Sequence, residues 1–292
     1  VIENDPRLDG LIVSVSRMFE SSTLFYGHGA GGPNDEAKLL VLGAMQSRLD
    51  WTWREFKELI LSLVERRISD RKPTVYLTEE AWYCGRWFIT PPGIMIPRSP
   101  IFELIESEFR PWLRNPPLRI LDLCCGGGCL GISAALAFPN AALTLSDSDS
   151  AALKCARANV DRYDLGSRAT IVSSDLCDSI PSEPFDLVIS NPPYVPKQEY
   201  DSLPAEYHYE PRGGLVSGND GLEAWRQILL DAPSLMSTDA LLVGEVGSTV
   251  TEFERNFPLL EVIWPELTQM ERLFDGSFGV FIAEREALRV SS

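Results

Sequence analysis

Apolar residues recur at helical spacing from Leu11 to Phe25. They do so again through Ala37, Leu40 and Leu42 behind a capping Asn34-Asp35, and a third time from Trp51 to Ile68. These stretches predict a small helical domain over residues 1–79, a substrate-recognition unit in the organisation proposed here. The glycine-rich segment Tyr26-Gly27-His28-Gly29-Ala30-Gly31-Gly32-Pro33 interrupts it and reads as a flexible connection between helices. From Val75 to Ile96 the texture turns aromatic and β-branched, with Tyr76, Trp82, Tyr83, Trp87, Phe88 and Ile89, and Pro91-Pro92-Gly93 supplies a turn. That pattern predicts a β-hairpin, taken as a linker over residues 80–98. A helix is expected near Ile101 to Leu113, opening the third unit, residues 99–292.

Within that unit short apolar runs alternate with helical stretches, the pattern of a parallel α/β sheet. One run, Arg119 to Leu123, enters Cys124-Cys125-Gly126-Gly127-Gly128, and a helix of small and apolar residues follows from Leu130 to Phe138. A glycine turn brings backbone close to a ligand, and the following helix presents its N-terminus to it. A second run, Ala142 to Leu145, ends at Asp147, 25 residues after Asp122, where a carboxylate can grip ribose hydroxyls. A third, Thr170 to Val172, ends at Ser174-Asp175-Leu176. A lone glycine loop is weak, and each Asp could instead cap a helix; Asp147 precedes the helical run Ala151 to Val160.

The fourth run, Phe185 to Ser190, meets Asn191-Pro192-Pro193-Tyr194. Two prolines cannot continue a strand, so the tetrapeptide lies just beyond a strand end, the place where open α/β sheets bind ligands. The Asn191 side-chain oxygen and the Pro192 carbonyl can each accept a hydrogen bond from a planar NH2 group, and the Tyr194 ring can lie on its flat face. Proline at the second position fixes φ and aims the carbonyl outward. In isolation the tetrapeptide reads as a strand followed by a proline turn; the ordered set of glycine loop, Asp147, Asp175 and Asn191 is far more specific.

Composition narrows the class. The 26 Lys and Arg against 42 Asp and Glu leave a net charge of −16. A nucleic-acid binder needs a positive footprint, so a small-molecule or basic-protein substrate is expected, although soluble proteins are often acidic. No apolar run approaches the roughly 18 residues of a membrane span. The six cysteines form no Cys-x-x-Cys pair and only His28 and His208 accompany them, so neither a metal site nor a disulfide framework is expected, and the cytoplasm is the expected compartment.

With these motifs in place the chain resembles the class I S-adenosylmethionine-dependent methyltransferases, and among them the protein-(glutamine-N(5)) methyltransferases. The resemblance is carried by Ile96-Pro97-Arg98, Asp122 through Gly128, Ser174-Asp175, Asn191-Pro192-Pro193-Tyr194-Val195, Glu210-Pro211, Gly218-Asn219-Asp220-Gly221-Leu222 and Glu245-Val246-Gly247. Tyr26-Gly27-His28-Gly29, Asp35-Glu36-Ala37, Ala81-Trp82-Tyr83-Cys84-Gly85 and Pro97-Arg98-Ser99-Pro100 resemble the branch that modifies large-subunit ribosomal protein L-three. The release-factor branch usually has Pro-Glu-Thr-Glu where this chain has Ser99-Pro100-Ile101-Phe102. Two departures stand out: Cys124 replaces a frequent glycine, and Asp275-Gly276-Ser277-Phe278-Gly279-Val280 replaces a more glycine-rich turn.

The resemblance implies a Rossmann-like seven-stranded sheet with one antiparallel strand, preceded by the helical domain and hairpin. It implies S-adenosylmethionine held by Asp122, Cys124, Cys125, Gly126, Gly128, Asp147, Asp175, Leu176 and Asn191, with S-adenosylhomocysteine as product. Catalysis is assigned to Asn191, Pro192, Pro193 and Tyr194, and substrate contact to Arg98, Asn191, Pro192 and Tyr194. Arg98 reads equally as a surface charge or a carboxylate anchor. The expected partner is a basic protein, ribosomal protein L-three before assembly, with no direct nucleic-acid recognition and no membrane. Competing readings are a release-factor glutamine methyltransferase, a DNA adenine methyltransferase, for which no target-recognition domain is evident, and a non-catalytic ribosome-assembly factor. A dehydrogenase would leave Asn191 to Tyr194 without a role.

Overall fold

A computed structural model describes residues 5–47, 50–267 and 279–290. Helices α1 (Arg7–Glu20), α2 (Pro33–Gln46) and α3 (Trp53–Asp70) pack Val15, Phe19, Leu40, Val41, Phe56 and Ile60 into one dry cluster. Each such side chain contributes about 1.5–3 kcal/mol when fully buried. A capping box opens α3: Thr52 accepts from the Glu55 amide at 3.3 Å and the Glu55 carboxylate accepts from the Thr52 amide at 3.0 Å. Asn34 and Asp35 do not cap α2. Gly32 stands at its N-cap, and Pro33 opens the helix because its missing N–H needs no partner in the first turn.

The chain then forms a short helix α4 (Thr74–Thr78) and a hairpin of β1 (Glu80–Tyr83) and β2 (Arg86–Ile89), with Trp82 opposite Trp87. The reversal lies at Cys84-Gly85, whose φ values of 47° and 73° match the right-handed twist of the strands; Pro91-Pro92-Gly93 comes after the hairpin. Val75 and Tyr76, expected in a strand, belong to α4. The helix expected to reach Leu113 stops as α5 (Ile101–Glu106), because Glu108 and Phe109 adopt left-handed φ of 54° and 56° and Pro111 follows.

Strands β3 (Arg119–Leu123), β4 (Ala142–Asp147), β5 (Ala169–Ser173), β6 (Phe185–Ser190), β7 (Met236–Gly247) and β8 (Gly279–Glu284) form one sheet in the order β5-β4-β3-β6-β7-β8. All pairs are parallel except β7 with β8. Six strands, not seven, are present among the described residues. Next to β8 the pairing among the described residues is one bridge, Ile263 to Ile282, flanked by Pro258 and Pro265, which lack the N–H a ladder needs. The turn at Asp275 to Phe278 lies outside the described residues.

Helices α6 (Cys129–Ala137) and α7 (Ser150–Arg162) cover one face, and α8 (Glu223–Leu235) covers the other. Trp225 of α8 is fully buried over Gly244, where a Cβ would clash with the indole ring. One side chain ties the hairpin to the sheet. The fully buried Asn159 of α7 donates to the carbonyls of Gly127 and Ile89 at 2.9 and 3.0 Å and accepts from the Ile89 amide at 2.8 Å. Strand order reverses between β3 and β6, which places a crevice at their carboxyl ends.

Candidate active site

A cavity of about 750 Å³ occupies that crevice. Cys124, Cys125 and Gly126 form its floor after β3, Asp147 stands at the end of β4, Asp175 and Leu176 follow β5, and Asn191 to Tyr194 follow β6. Arg98 closes the opposite side. Residues from Cys124 to Tyr194 thus face one space because four parallel strands end on the same edge.

The floor is shaped by backbone. Cys124, Gly126 and Gly128 have φ of 57°, 52° and 80°, so the loop keeps a left-handed path although its first position carries a Cβ. Asp147 Oδ2 accepts from the Gly126 amide at 2.9 Å and Oδ1 from the Asp149 amide at 2.9 Å. Burial raises the Asp147 carboxyl. The cap of α7 is Asp149, which accepts from Ala151 at 2.8 Å, so Asp147 is left facing the cavity.

Asp122 and Gly128 do not line the cavity. Asp122 is fully buried beneath the loop, where Oδ2 accepts from the Gly131 amide at 2.7 Å and Oδ1 has no partner among the described residues. Burial, helped by Asp147, pushes its carboxyl up to about 7, against the lowering effect of the Gly131 amide. Its place is structural support of the loop, with Gly131 so close that a Cβ would lie 2.8 Å from the Asp122 side chain.

The tetrapeptide is fixed on both sides. Ser190 Oγ donates to the Leu123 carbonyl at 3.0 Å, and beyond Tyr194 the Val195 amide donates to the Leu215 carbonyl at 2.8 Å while Val195 bridges Val216. Tyr194 Oη donates to Glu245 Oε1 at 2.8 Å, and its ring rests on Gly247, where a Cβ would lie 2.8 Å from two ring atoms. Burial raises the Glu245 carboxyl and raises the Tyr194 hydroxyl well above its ordinary value. The Asn191 side chain has no hydrogen-bond partner among the described residues and lines the cavity, so its acceptor is available.

The roles of two buried carboxylates escaped sequence reasoning. Glu210 receives His28 Nε2 at 3.0 Å on Oε1, and Arg98 Nη1 at 2.8 Å and the Ile96 amide at 3.0 Å on Oε2. Burial pushes this carboxyl up, but Arg98 and His28 outweigh it and hold it at about 2. The Tyr26 to Pro33 segment is therefore anchored, not a free connection, and Arg98 is an ion-pair partner rather than a surface charge. Glu206 similarly takes the Phe25 amide at 3.0 Å and Arg71 at 2.8 Å. The only available signal was the quoted Glu210-Pro211 pair; its partners stand 182 and 112 residues away.

The sheet order, the glycine loop and the strand-end tetrapeptide together are those of a class I methyltransferase. A family model described as "Methyltransferase small domain" matches residues 110–206. The hMettl16 catalytic domain, crystallised with the MAT2A 3'UTR hairpin 6, superposes with a TM-score of 0.54 at 14% identity, over 85% of this chain and 91% of that one, a likeness of fold. A curated relative from Francisella tularensis subsp. tularensis, named ribosomal protein uL3 glutamine methyltransferase, is 36% identical over 285 residues, covering 94% of this chain and 88% of its own. One of the same name from Bordetella pertussis is 39% identical over 262 residues, covering 86% and 87%. The chain belongs to the ribosomal protein uL3 glutamine methyltransferase family.

Proposed function

We propose that this enzyme transfers the methyl group of S-adenosylmethionine to the side-chain amide nitrogen of a glutamine in free ribosomal protein uL3. The observation that carries the reading is the opening of the Asn191 to Tyr194 acceptors into the same cavity as the glycine loop and Asp147. The cavity suits the donor in size and chemistry: about 750 Å³ lies within the usual range for a cofactor site, and Asp147, Asp149, Asp175 and Glu223 line it with carboxylates. Those groups accept from ribose hydroxyls and amino groups and favour a cation. When bound, the donor supplies an already activated methyl on a sulfonium.

The chain's own task is positioning. An amide nitrogen is a poor nucleophile because its lone pair is delocalised into the carbonyl. Asn191 Oδ1 and the Pro192 carbonyl take its two N–H groups, hold it in line with the methyl and polarise it as charge develops. Tyr194, fixed by Glu245 and Gly247, forms the flat wall against the amide. No histidine base is required: His28 is engaged by Glu210 and His208 stands outside the cavity lining. Loss of a proton from the methylated nitrogen to solvent would complete the transfer.

Asn191 to Tyr194 and Arg98 form the substrate side, and the cofactor side runs from Cys124 to Leu176. Residues 1–79 and 80–98 act as the recognition domain and its linker. The net charge of −16 favours a basic protein before it meets RNA, and this attraction is screened as the Debye length falls from about 10 Å at 0.1 M salt to about 3 Å at 1 M. No helix among the described residues is long and apolar enough to cross a membrane. The test offers purified uL3, assembled large subunits and a release factor side by side with labelled donor across a salt series, read by mass spectrometry. One methyl on a glutamine of free uL3, with an apparent KM that rises with salt and little label on assembled subunits, supports the reading. Preference for the release factor would reassign the substrate, and equal labelling of free and assembled uL3 would reject the timing.

A further inference from the structure

The chemistry above leaves unused a buried polar chain that runs from the helical unit to the cavity wall. His28 and Glu210 are only 4% and 3% exposed, and both Glu210 oxygens are engaged, Oε1 with His28 and Oε2 with Arg98 and the Ile96 amide. Tyr207 braces the same pair of donors: its ring centroid is 4.6 Å from that of His28, and the Arg98 guanidinium carbon lies 5.3 Å from it. The His28 segment has no slack against this ring, because a Cβ on Gly27 would lie 2.6 Å from Tyr207 Oη. Arg98 lines the cavity beside Tyr194. Among the described residues its polar contacts are all made through Nη1, to Glu210 and to the Ile96 carbonyl at 3.1 Å, so Nε and Nη2 remain as donors.

We propose that Glu210 is a positioning residue linking His28 of the helical unit to Arg98, and that Arg98, held in this way, donates to a neutral main-chain carbonyl of the protein substrate beside the target glutamine. This rests on the amide-methyltransferase reading. A neutral acceptor is specified because the Arg98 charge is already matched at 2.8 Å; a substrate carboxylate would bring a second anion against one guanidinium and into the neighbourhood of Glu210. The planar guanidinium can hold Glu210 through Nη1 while its fixed fork aims a separate N–H at the carbonyl, whereas a lysine ammonium has a single nitrogen that would have to serve both partners. Removing the His28 ring leaves Glu210 Oε1 without a donor in a dry site, and the carboxylate then gains freedom to turn and carry Arg98 with it. The helical unit thereby sets the substrate half of the cavity while Asp147 and the glycine loop, which make no hydrogen bond to this chain of bonds among the described residues, set the donor half.

The experiment measures KM for uL3 and calorimetric affinity for S-adenosylmethionine in wild type, H28A, H28Q, R98A and R98K. R98K is expected to keep the ion pair with Glu210 yet raise KM for uL3 at least tenfold, as R98A does, with donor affinity within twofold of wild type. H28A is expected to raise that KM at least fivefold, and H28Q, which retains an N–H for Glu210, to return it to within twofold. An unchanged KM in R98K would overturn the carbonyl contact. An unchanged KM in H28A, or a loss in H28A and H28Q alike accompanied by loss of donor affinity, would overturn the positioning role. Failure of the wild type to methylate uL3 would instead remove the functional reading beneath it.

Discussion

The Tyr194 hydroxyl ends on Glu245, 2.8 Å away near the carboxyl end of β7, so a ring that lines the cavity is oriented by a strand it does not belong to. The Trp225 indole fixes the same residue by donating to the Glu245 carbonyl at 3.0 Å. Glu245→Ala should lower turnover by about tenfold, the effect of roughly 1.4 kcal/mol of lost positioning, while donor affinity changes little. Glu245→Gln keeps an acceptor and should retain most of the turnover. Steady-state kinetics with calorimetry checks both; equal turnover in the Ala variant and the wild type would free Tyr194 from this dependence.

Asn191 protrudes from the end of β6 and carries no structural hydrogen bond among the described residues. Asn191→Ala should therefore cut turnover by about a hundredfold or more, by analogy with loss of a transition-state hydrogen bond, with an unaltered unfolding midpoint. Asn191→Asp keeps the shape and an acceptor but places a charge beside the sulfonium. It should favour S-adenosylmethionine over S-adenosylhomocysteine in a binding competition even as turnover falls; an unchanged ratio would place Asn191 away from the transferring methyl.

Asp147 has two duties, shaping the glycine loop through Gly126 and facing the cavity. Asp147→Ala should weaken S-adenosylmethionine binding by about 1.5–3 kcal/mol, the scale of a charged hydrogen bond. Asp147→Asn keeps one oxygen for Gly126 but gives up the acceptor facing Asp149, so it separates the Gly126 contact from the carboxylate charge. Calorimetric affinity unchanged in both variants would remove Asp147 from the donor site.

Asp122 gives a pH signature. Its folded-state carboxyl lies near 7, above the unfolded value of about 3.9, so between those limits the folded chain holds the extra proton and stability falls as pH rises. The full effect is on the order of 4 kcal/mol at most, since one pKa unit corresponds to about 1.4 kcal/mol. Asp122→Asn preserves an acceptor for Gly131 and should flatten the decline between about pH 4 and 7. Urea unfolding across that range measures it, and parallel curves for the two proteins would contradict the assignment.

Parts of this architecture that depend on local pattern were legible in the sequence. Strand runs ending at Asp147, Asp175 and Asn191 placed most of the cavity's rim, because consecutive parallel strands deliver their carboxyl ends to one edge. The resemblance placed Asp122 among the cofactor contacts, yet its side chain lies fully buried under the loop on the Gly131 amide. Cys124 shows why identity alone misleads at such positions: the loop demands a left-handed φ, and a small side chain adopts it at a cost of about 1 kcal/mol. The ion pairs of Glu206 and Glu210 were illegible for a different reason. Their partners His28, Arg71 and Arg98 lie more than a hundred residues away, and nothing periodic marks a buried ion pair.

The saturated amide of Asn159 bears on how such enzymes can be recombined. An engineered chimera joined at residue 98, carrying the recognition unit and hairpin of a homologue, would keep the catalytic half of this bond set and replace the half contributed by Ile89. Should the incoming hairpin end at a different height above α7, the amide group would lose both of its bonds to Ile89 inside a buried core, keeping those to Gly127 and the Cys155 sulfur, and the Gly127 turn would lose its link to the hairpin. Swapping specificity between branches of this fold thus calls for transplanting the α7 contact along with the front half of the chain, and a modular boundary drawn only between sequence segments cuts through a single side chain.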